Sequence, residues 1–116
     1  MADVSVKMGV SGIQQFRQGM KDAEASVKTL DAALKANEKA LKSTGDAENY
    51  MQAQTSLLNK KLQEQKNIAQ NAEQALKQME ANGVKTTSAS YQNMQRKLIE
   101  AQSSMMDTQD QLNNLG

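Results

Sequence analysis

The chain has 116 residues, a formal net charge of +1, and no His, Cys, Trp or Pro. This length allows one domain at most. The small charge excludes the long-range attraction by which strongly basic proteins recruit nucleic acid or anionic membranes. Without His and Cys, the commonest general base, the thiolate nucleophile and the zinc-thiolate site are all absent. We therefore expect no catalytic residue, no cofactor, no metal, no nucleic-acid partner and no membrane partner.

The first ten residues differ in pattern from the rest of the chain. Val4, Val6, Met8 and Val10 alternate with polar residues or glycine, which is the period of a β-strand. We expect a short extended segment over residues 1–10. Because the chain offers no second strand, this segment either pairs with another molecule, frays, or joins the first helix. In the first case Val4, Val6 and Met8 supply the buried face of an added strand.

Helix signals divide the remainder into three elements within one helical domain, residues 11–116. The first is predicted over about 11–43, since Ser11 and Gln14 have the spacing of a capping box. Gly45 can take a left-handed C-cap conformation and Asp46 can open the second helix, over about 47–82. After Gly83, the third helix is predicted over about 88–115, with N-caps available at residues 86–88.

Apolar residues recur at alternating steps of three and four in all three predicted helices, which is the heptad spacing of packed long helices. We expect an all-α fold in an antiparallel coiled-coil or three-helix arrangement. The core or oligomer stripe contains Phe16, Met20, Val27, Leu30, Leu34, Leu58, Leu62, Leu76, Met94, Leu98 and Leu112. Four polar residues interrupt this stripe, and they either fix the helix register or lie at the rim of the bundle: Asn37, Thr55, Gln65 and Thr108.

The stripes also predict how the helices pair. In an antiparallel hairpin, opposed residues have numbers with a constant sum. A sum of 92 matches the first two stripes and centres the turn at Asp46, and a sum of 170 matches the last two and centres the turn at residue 85. The alternative is a continuous rod, in which a helical Gly45 costs about 1 kcal/mol. Pairs four residues apart, such as Glu24–Lys28 and Asp31–Lys35, are expected to support the first helix.

Carboxylate pairs are the nearest approach to a catalytic constellation. Asp22 and Glu24 form one pair, and Asp107 and Asp110 form another. Both share their faces with Gln, Lys and Ser, which is typical of a solvated helix surface. A structural role is therefore expected rather than an enzymatic one.

Three groups of residues resemble the N-terminal region of tape measure proteins from long-tailed bacteriophages. The first is Val4-Ser5-Val6-Lys7-Met8 followed by Phe16 and Met20. The second is Ser43-Thr44-Gly45-Asp46 followed by Tyr50 and by Leu57-Leu58-Asn59-Lys60-Lys61-Leu62. The third is Gly83 followed by Tyr91-Gln92 and Arg96-Lys97-Leu98-Ile99-Glu100-Ala101. The Gly-Asp turn followed by Tyr is the most specific part.

This resemblance implies a helical virion protein that lies inside the tail tube and sets tail length during assembly. It covers only the beginning of a family member, so we expect this chain to be part of a longer protein. The implied partners are tail-tube, tail-tip or tail assembly chaperone proteins, with homo-oligomers expected. The implied locations are the phage tail and, during assembly, the host cytoplasm. The resemblance also implies a phage or prophage gene as the source. The alternative is an unrelated cytosolic coiled-coil interaction module or a secretion-apparatus module.

Overall fold

The computed structural model describes the backbone of residues 2–115 and the side chains of residues 13–115. Over this range the chain is all-α, as predicted, and consists of α1 (Ala2–Thr44), α2 (Ala47–Ala81) and α3 (Ala89–Leu115). The helices form a rod with dimensions of 65 × 20 × 17 Å.

The turn between α1 and α2 has the predicted chemistry at both helix ends. Gly45 has a φ of +71°, and its N–H donates to the carbonyl of Leu41 at 2.7 Å. This is the single-bond left-handed cap for which glycine is favoured, because it lacks the Cβ that makes positive φ costly. The Asp46 carboxylate then accepts from the Asn49 N–H at 3.0 Å and caps α2.

The turn between α2 and α3 closes with two backbone bonds. Gly83 has a φ of +77°, and its N–H donates to the Glu80 carbonyl at 3.0 Å. The Val84 N–H donates to the Met79 carbonyl at 2.9 Å. This pair of bonds is a Schellman motif, which satisfies carbonyls that the end of the helix leaves free. At the start of α3, the Ser88 hydroxyl accepts from the Tyr91 N–H at 3.2 Å.

The N-terminal segment differs from the predicted extended conformation. Because α1 begins at Ala2, residues 2–10 are helical and the helix does not start at Ser11. Extending an existing helix adds one hydrogen bond for each residue ordered, whereas a lone strand leaves its backbone groups unpaired. Joining the first helix was the third of the predicted alternatives. The side chains of Val4, Val6 and Met8 lie outside the described residues.

Contacts between helices establish two antiparallel pairs. The Lys61 ammonium group on α2 lies 2.7 Å from the Asp31 carboxylate on α1, and the two residue numbers have the predicted sum of 92. Between α2 and α3, the Tyr91 side chain is hydrogen-bonded to Glu80 and the Thr108 side chain to Gln65. The residue numbers of these two pairs sum to 171 and 173. The first register agrees with the prediction, and the second differs from it by one to three residues.

The core is densest near the α2–α3 turn, where all three helices overlap. Its buried cluster consists of Met20, Ala72, Ala75, Leu76, Met79, Tyr91 and Met94. Partly buried apolar residues pack around this cluster: Ile13, Phe16, Ile68, Val84 and Leu98. At the opposite end, α3 stops at Leu115, which the α2–α3 sums of 171 and 173 place opposite residues 56–58 of α2. The start of α2 and the end of α1 therefore form a two-helix tip.

Candidate functional site

The predicted stripe forms the interior of the bundle. Its members on α1 are buried at Met20 and Leu34 and half-buried at Phe16, Val27 and Leu30. On α2 and α3, Leu58, Leu76 and Met94 are buried, and Leu62, Leu98 and Leu112 are half-buried. The stripe therefore forms the core of one chain, and its participation in an oligomer remains a prediction.

The stripe departs from the prediction at the start of α2. Met51 and Thr55 are exposed, whereas Gln54 is buried. This region belongs to the two-helix tip, where α3 does not cover the side of α2 that carries Met51. Heptad phase predicts which residues of α2 can face a neighbouring helix. The length of α3 decides which of these residues α3 covers.

A polar contact replaces apolar packing at the two-helix tip. The Asn37 side-chain amide donates to the Tyr50 carbonyl at 3.1 Å and to the Gln54 side-chain carbonyl at 3.0 Å. An amide group has two N–H donors, so both bonds form together. The predicted partner of Asn37 was Thr55, but the Thr55 hydroxyl donates to the Met51 carbonyl of its own helix.

A second polar contact lies in the three-helix part of the rod. The Thr108 hydroxyl donates to the Gln65 side-chain carbonyl at 2.7 Å, and both residues are buried. The same hydroxyl lies 3.0 Å from the Ser104 carbonyl, which is an alternative acceptor for its single proton. Of the two predicted roles for these polar residues, the buried Gln65–Thr108 pair fits a register-fixing role rather than a position at the rim.

Ion pairs join different helices rather than residues within α1. Among the side chains of residues 13–115, Asp31 pairs with Lys61 and Glu24 pairs with Lys97, at 2.7 and 3.5 Å. The expected Glu24–Lys28 and Asp31–Lys35 pairs are not formed, because neighbouring helices present lysines to the same carboxylates. The Glu24–Lys97 pair also brings α1 and α3 together beside a cleft of about 330 Å³.

The carboxylate pairs behave as surface groups. Asp22 accepts from the Gln18 side chain at 2.9 Å, while Asp107 and Asp110 are exposed. Within the described side chains, no group of three or more acidic residues is arranged to hold a metal ion. No buried side-chain polar atom in that range lacks a hydrogen-bond partner.

Among the side chains of residues 13–115, Tyr91 is the one whose ionisation the fold alters most clearly. Its hydroxyl donates to the Glu80 carboxylate at 2.7 Å. This hydrogen bond, followed by burial and by repulsion from the carboxylate charge, raises the pKa of Tyr91 above its ordinary value of 10.0. The neutral phenol is therefore favoured in the folded chain, and the contact fastens the start of α3 to the end of α2.

We expect Tyr91 to ionise at a higher pH in the folded chain than in denaturant. The raised pKa means that this contact stabilises the fold below pH about 10, and that the contribution is lost as pH rises through the folded pKa. The measurement is a phenolate absorbance titration of a Tyr50→Phe variant, which leaves Tyr91 as the only tyrosine. Glu80→Gln should move the folded midpoint down towards 10, and an unchanged midpoint would contradict the assignment.

Comparison with known proteins identifies no relative of this chain. Searches of protein-family models, of curated proteins and of solved structures find no match to this chain. None of the helices within residues 2–115 has a stretch both long enough and apolar enough to span a bilayer.

Proposed function

We propose that this chain is the N-terminal part of a bacteriophage tail tape measure protein, a structural component that sets tail length and fills the lumen of the tail tube. The observation that carries the proposal is the position of the residues behind the resemblance. Ser43-Thr44-Gly45-Asp46 forms the α1–α2 turn, and Gly83 forms the α2–α3 turn. These motifs therefore encode the two reversals that define the fold.

The shape of the chain supports a spacer role. Its helices run along a rod 65 Å long and about a third as wide. A helix adds about 1.5 Å for each residue, so the 43 residues of α1 account for the full length of the rod, and α2 and α3 fold back along it. An elongated, wholly helical body of this kind can serve as a spacer within a longer protein.

The N-terminal end of α1 is the proposed site of contact with a tail-tube, tail-tip or chaperone protein. In the α1–α2 register, opposed residues have numbers that sum to 92, so Ala81 at the end of α2 lies opposite residue 11. Residues 2–10 of α1 therefore extend beyond the end of α2. Strand addition to a partner would require this segment to leave the helix. Removing residues 2–10 should abolish the partner interaction while α2, α3 and the remainder of α1 stay folded.

The order of genes around the coding sequence tests the proposal directly. We expect tail-tube and tail-tip genes beside it, and a reading frame that continues well past codon 116. A stop codon soon after Gly116, without tail genes nearby, would favour a cytosolic coiled-coil or secretion-apparatus module instead. Mass spectrometry of purified virions should then detect peptides from residues 13–115 in the tail fraction, and their absence from intact tails would contradict the proposal.

A further inference from the structure

The outer face of α3 carries apolar side chains that the bundle does not use. Ile99 is 59% exposed and Met106 is 68% exposed. They are seven residues apart, so they lie two turns apart on one face of the helix. Single exposed apolar residues are common on protein surfaces, but two at heptad spacing form a short seam for another helix.

This seam borders a shallow cleft between α2 and α3. The cleft has a volume of about 360 Å³ and is lined by Leu62, Lys66, Gln102, Met105, Met106 and Gln109. Leu62 and Met105 are half-buried within it. A helix lying on the seam would therefore cover apolar surface on α2 as well as on α3.

The two ends of the seam carry opposite charges. Arg96 lies one turn before Ile99, and Asp110 lies one turn after Met106. Both charged residues are exposed, and neither belongs to the two ion pairs found among residues 13–115. Arg96 and Asp110 stand at the two ends of the apolar pair, almost symmetrically about the midpoint between Gln102 and Ser103. Exposed Glu100 and Asp107 each follow one of the apolar residues at the side of the seam.

We propose that α3 binds α3 of a second copy in an antiparallel, twofold-symmetric dimer. Reversing the helix about the point between Gln102 and Ser103 places Ile99 opposite Met106 of the second copy. The same reversal places Arg96 beside Asp110 of the second copy. Twofold symmetry repeats both contacts, as an isologous interface requires. The second copy is the occupant because the apolar pair and the opposite charges at its two ends match their own reversed order. The dimer does not depend on the proposed function.

Cysteine cross-linking tests the arrangement, because the natural chain contains no Cys. Ser103 lies beside the twofold axis, so two copies of Ser103→Cys should meet and form an intermolecular disulfide under mild oxidation. Asn93→Cys is the matched control on α3, since ten residues from the axis separate its two copies by about 30 Å. A disulfide dimer from Ser103→Cys alone supports the proposal. Equal cross-linking of both variants, or of neither, overturns it.

Sedimentation across a concentration series tests the chemistry of the interface. Arg96→Glu and Asp110→Lys should each weaken dimerisation by about fivefold, and the double variant should restore it because the opposite charges are exchanged. Ile99→Gln should weaken it further, whereas Met51→Gln, on an exposed residue of α2, should not. A wild-type chain that remains monomeric up to about 1 mM, or an equal effect of Met51→Gln, overturns the proposal.

Discussion

Replacement of Leu58 by aspartate is expected to unfold the bundle. Leu58 lies in the first half of α2 and is 1% exposed, so the substitution removes a buried apolar side chain and places an unpaired carboxylate in its position. Lost burial contributes about 2–3 kcal/mol, and an unpaired buried charge adds several more. Because domains of this size are stable by only about 5–15 kcal/mol, the sum is sufficient to abolish the fold.

Thermal unfolding followed by circular dichroism measures this effect. We expect Leu58→Asp to lose most of its helical signal at 25 °C. The matched control is Met51→Asp, which introduces the same charge seven residues earlier at a side chain that is already 36% exposed. The control should retain its helical signal. Equal loss of helix in both variants would show that the core does not lie where the structure places it.

Thr108→Val should destabilise the chain although valine fills almost the same volume. The substitution removes the hydroxyl that donates to Gln65, and it leaves a buried amide carbonyl without its partner. An unsatisfied buried acceptor costs about 1–3 kcal/mol. Adding Gln65→Leu removes the acceptor as well, so the double variant should recover much of the lost stability.

Urea unfolding of the four chains in this cycle gives the coupling energy between Gln65 and Thr108. We expect a favourable coupling of at least about 1 kcal/mol, because the two residues share one buried contact. If the two substitutions are simply additive, the hydrogen bond makes no specific contribution. A double variant that regains stability but populates several registers would assign register selection to this polar pair.

The helices and turns were predictable from the sequence because their causes are local. Gly45 and Gly83 adopt the positive φ values that left-handed caps require, and Asp46 caps α2. The spacing of Leu34 and Leu58 predicted burial at both residues because core positions repeat with the heptad.

The remaining features depend on contacts between distant parts of the chain. Gln54 is buried instead of Thr55 and accepts a hydrogen bond from Asn37 of the neighbouring helix, a contact that heptad phase does not predict. Glu24 pairs with Lys97 of α3 rather than with Lys28, a choice that periodicity within one helix does not determine. Residues 2–10 have a strand-like pattern, yet helix extension supplies hydrogen bonds that a lone strand lacks.

The pairing of Ile99 with Met106 on the outer face of α3 was missed for a related reason. Ile99 and Met106 fall outside the apolar stripe predicted to form the core, so the stripe gave no reason to group them. The pair is recognisable from the sequence as two large apolar residues seven apart that both lie outside the core stripe. Only the structure establishes that neither side chain is covered by another helix of the same chain.

The distance between Thr29 and Gln63 within one chain tests the antiparallel bundle most directly. Both residues line a cleft between α1 and α2, and their side chains are exposed. Spin labels on cysteines at these positions, with labelled chains diluted in unlabelled protein to remove distances between copies, give this distance by pulsed electron resonance. The bundle predicts about 10–20 Å, since packed helices lie about 8–10 Å apart. A continuous helical rod would instead give about 50 Å, and such a result would contradict the fold described above.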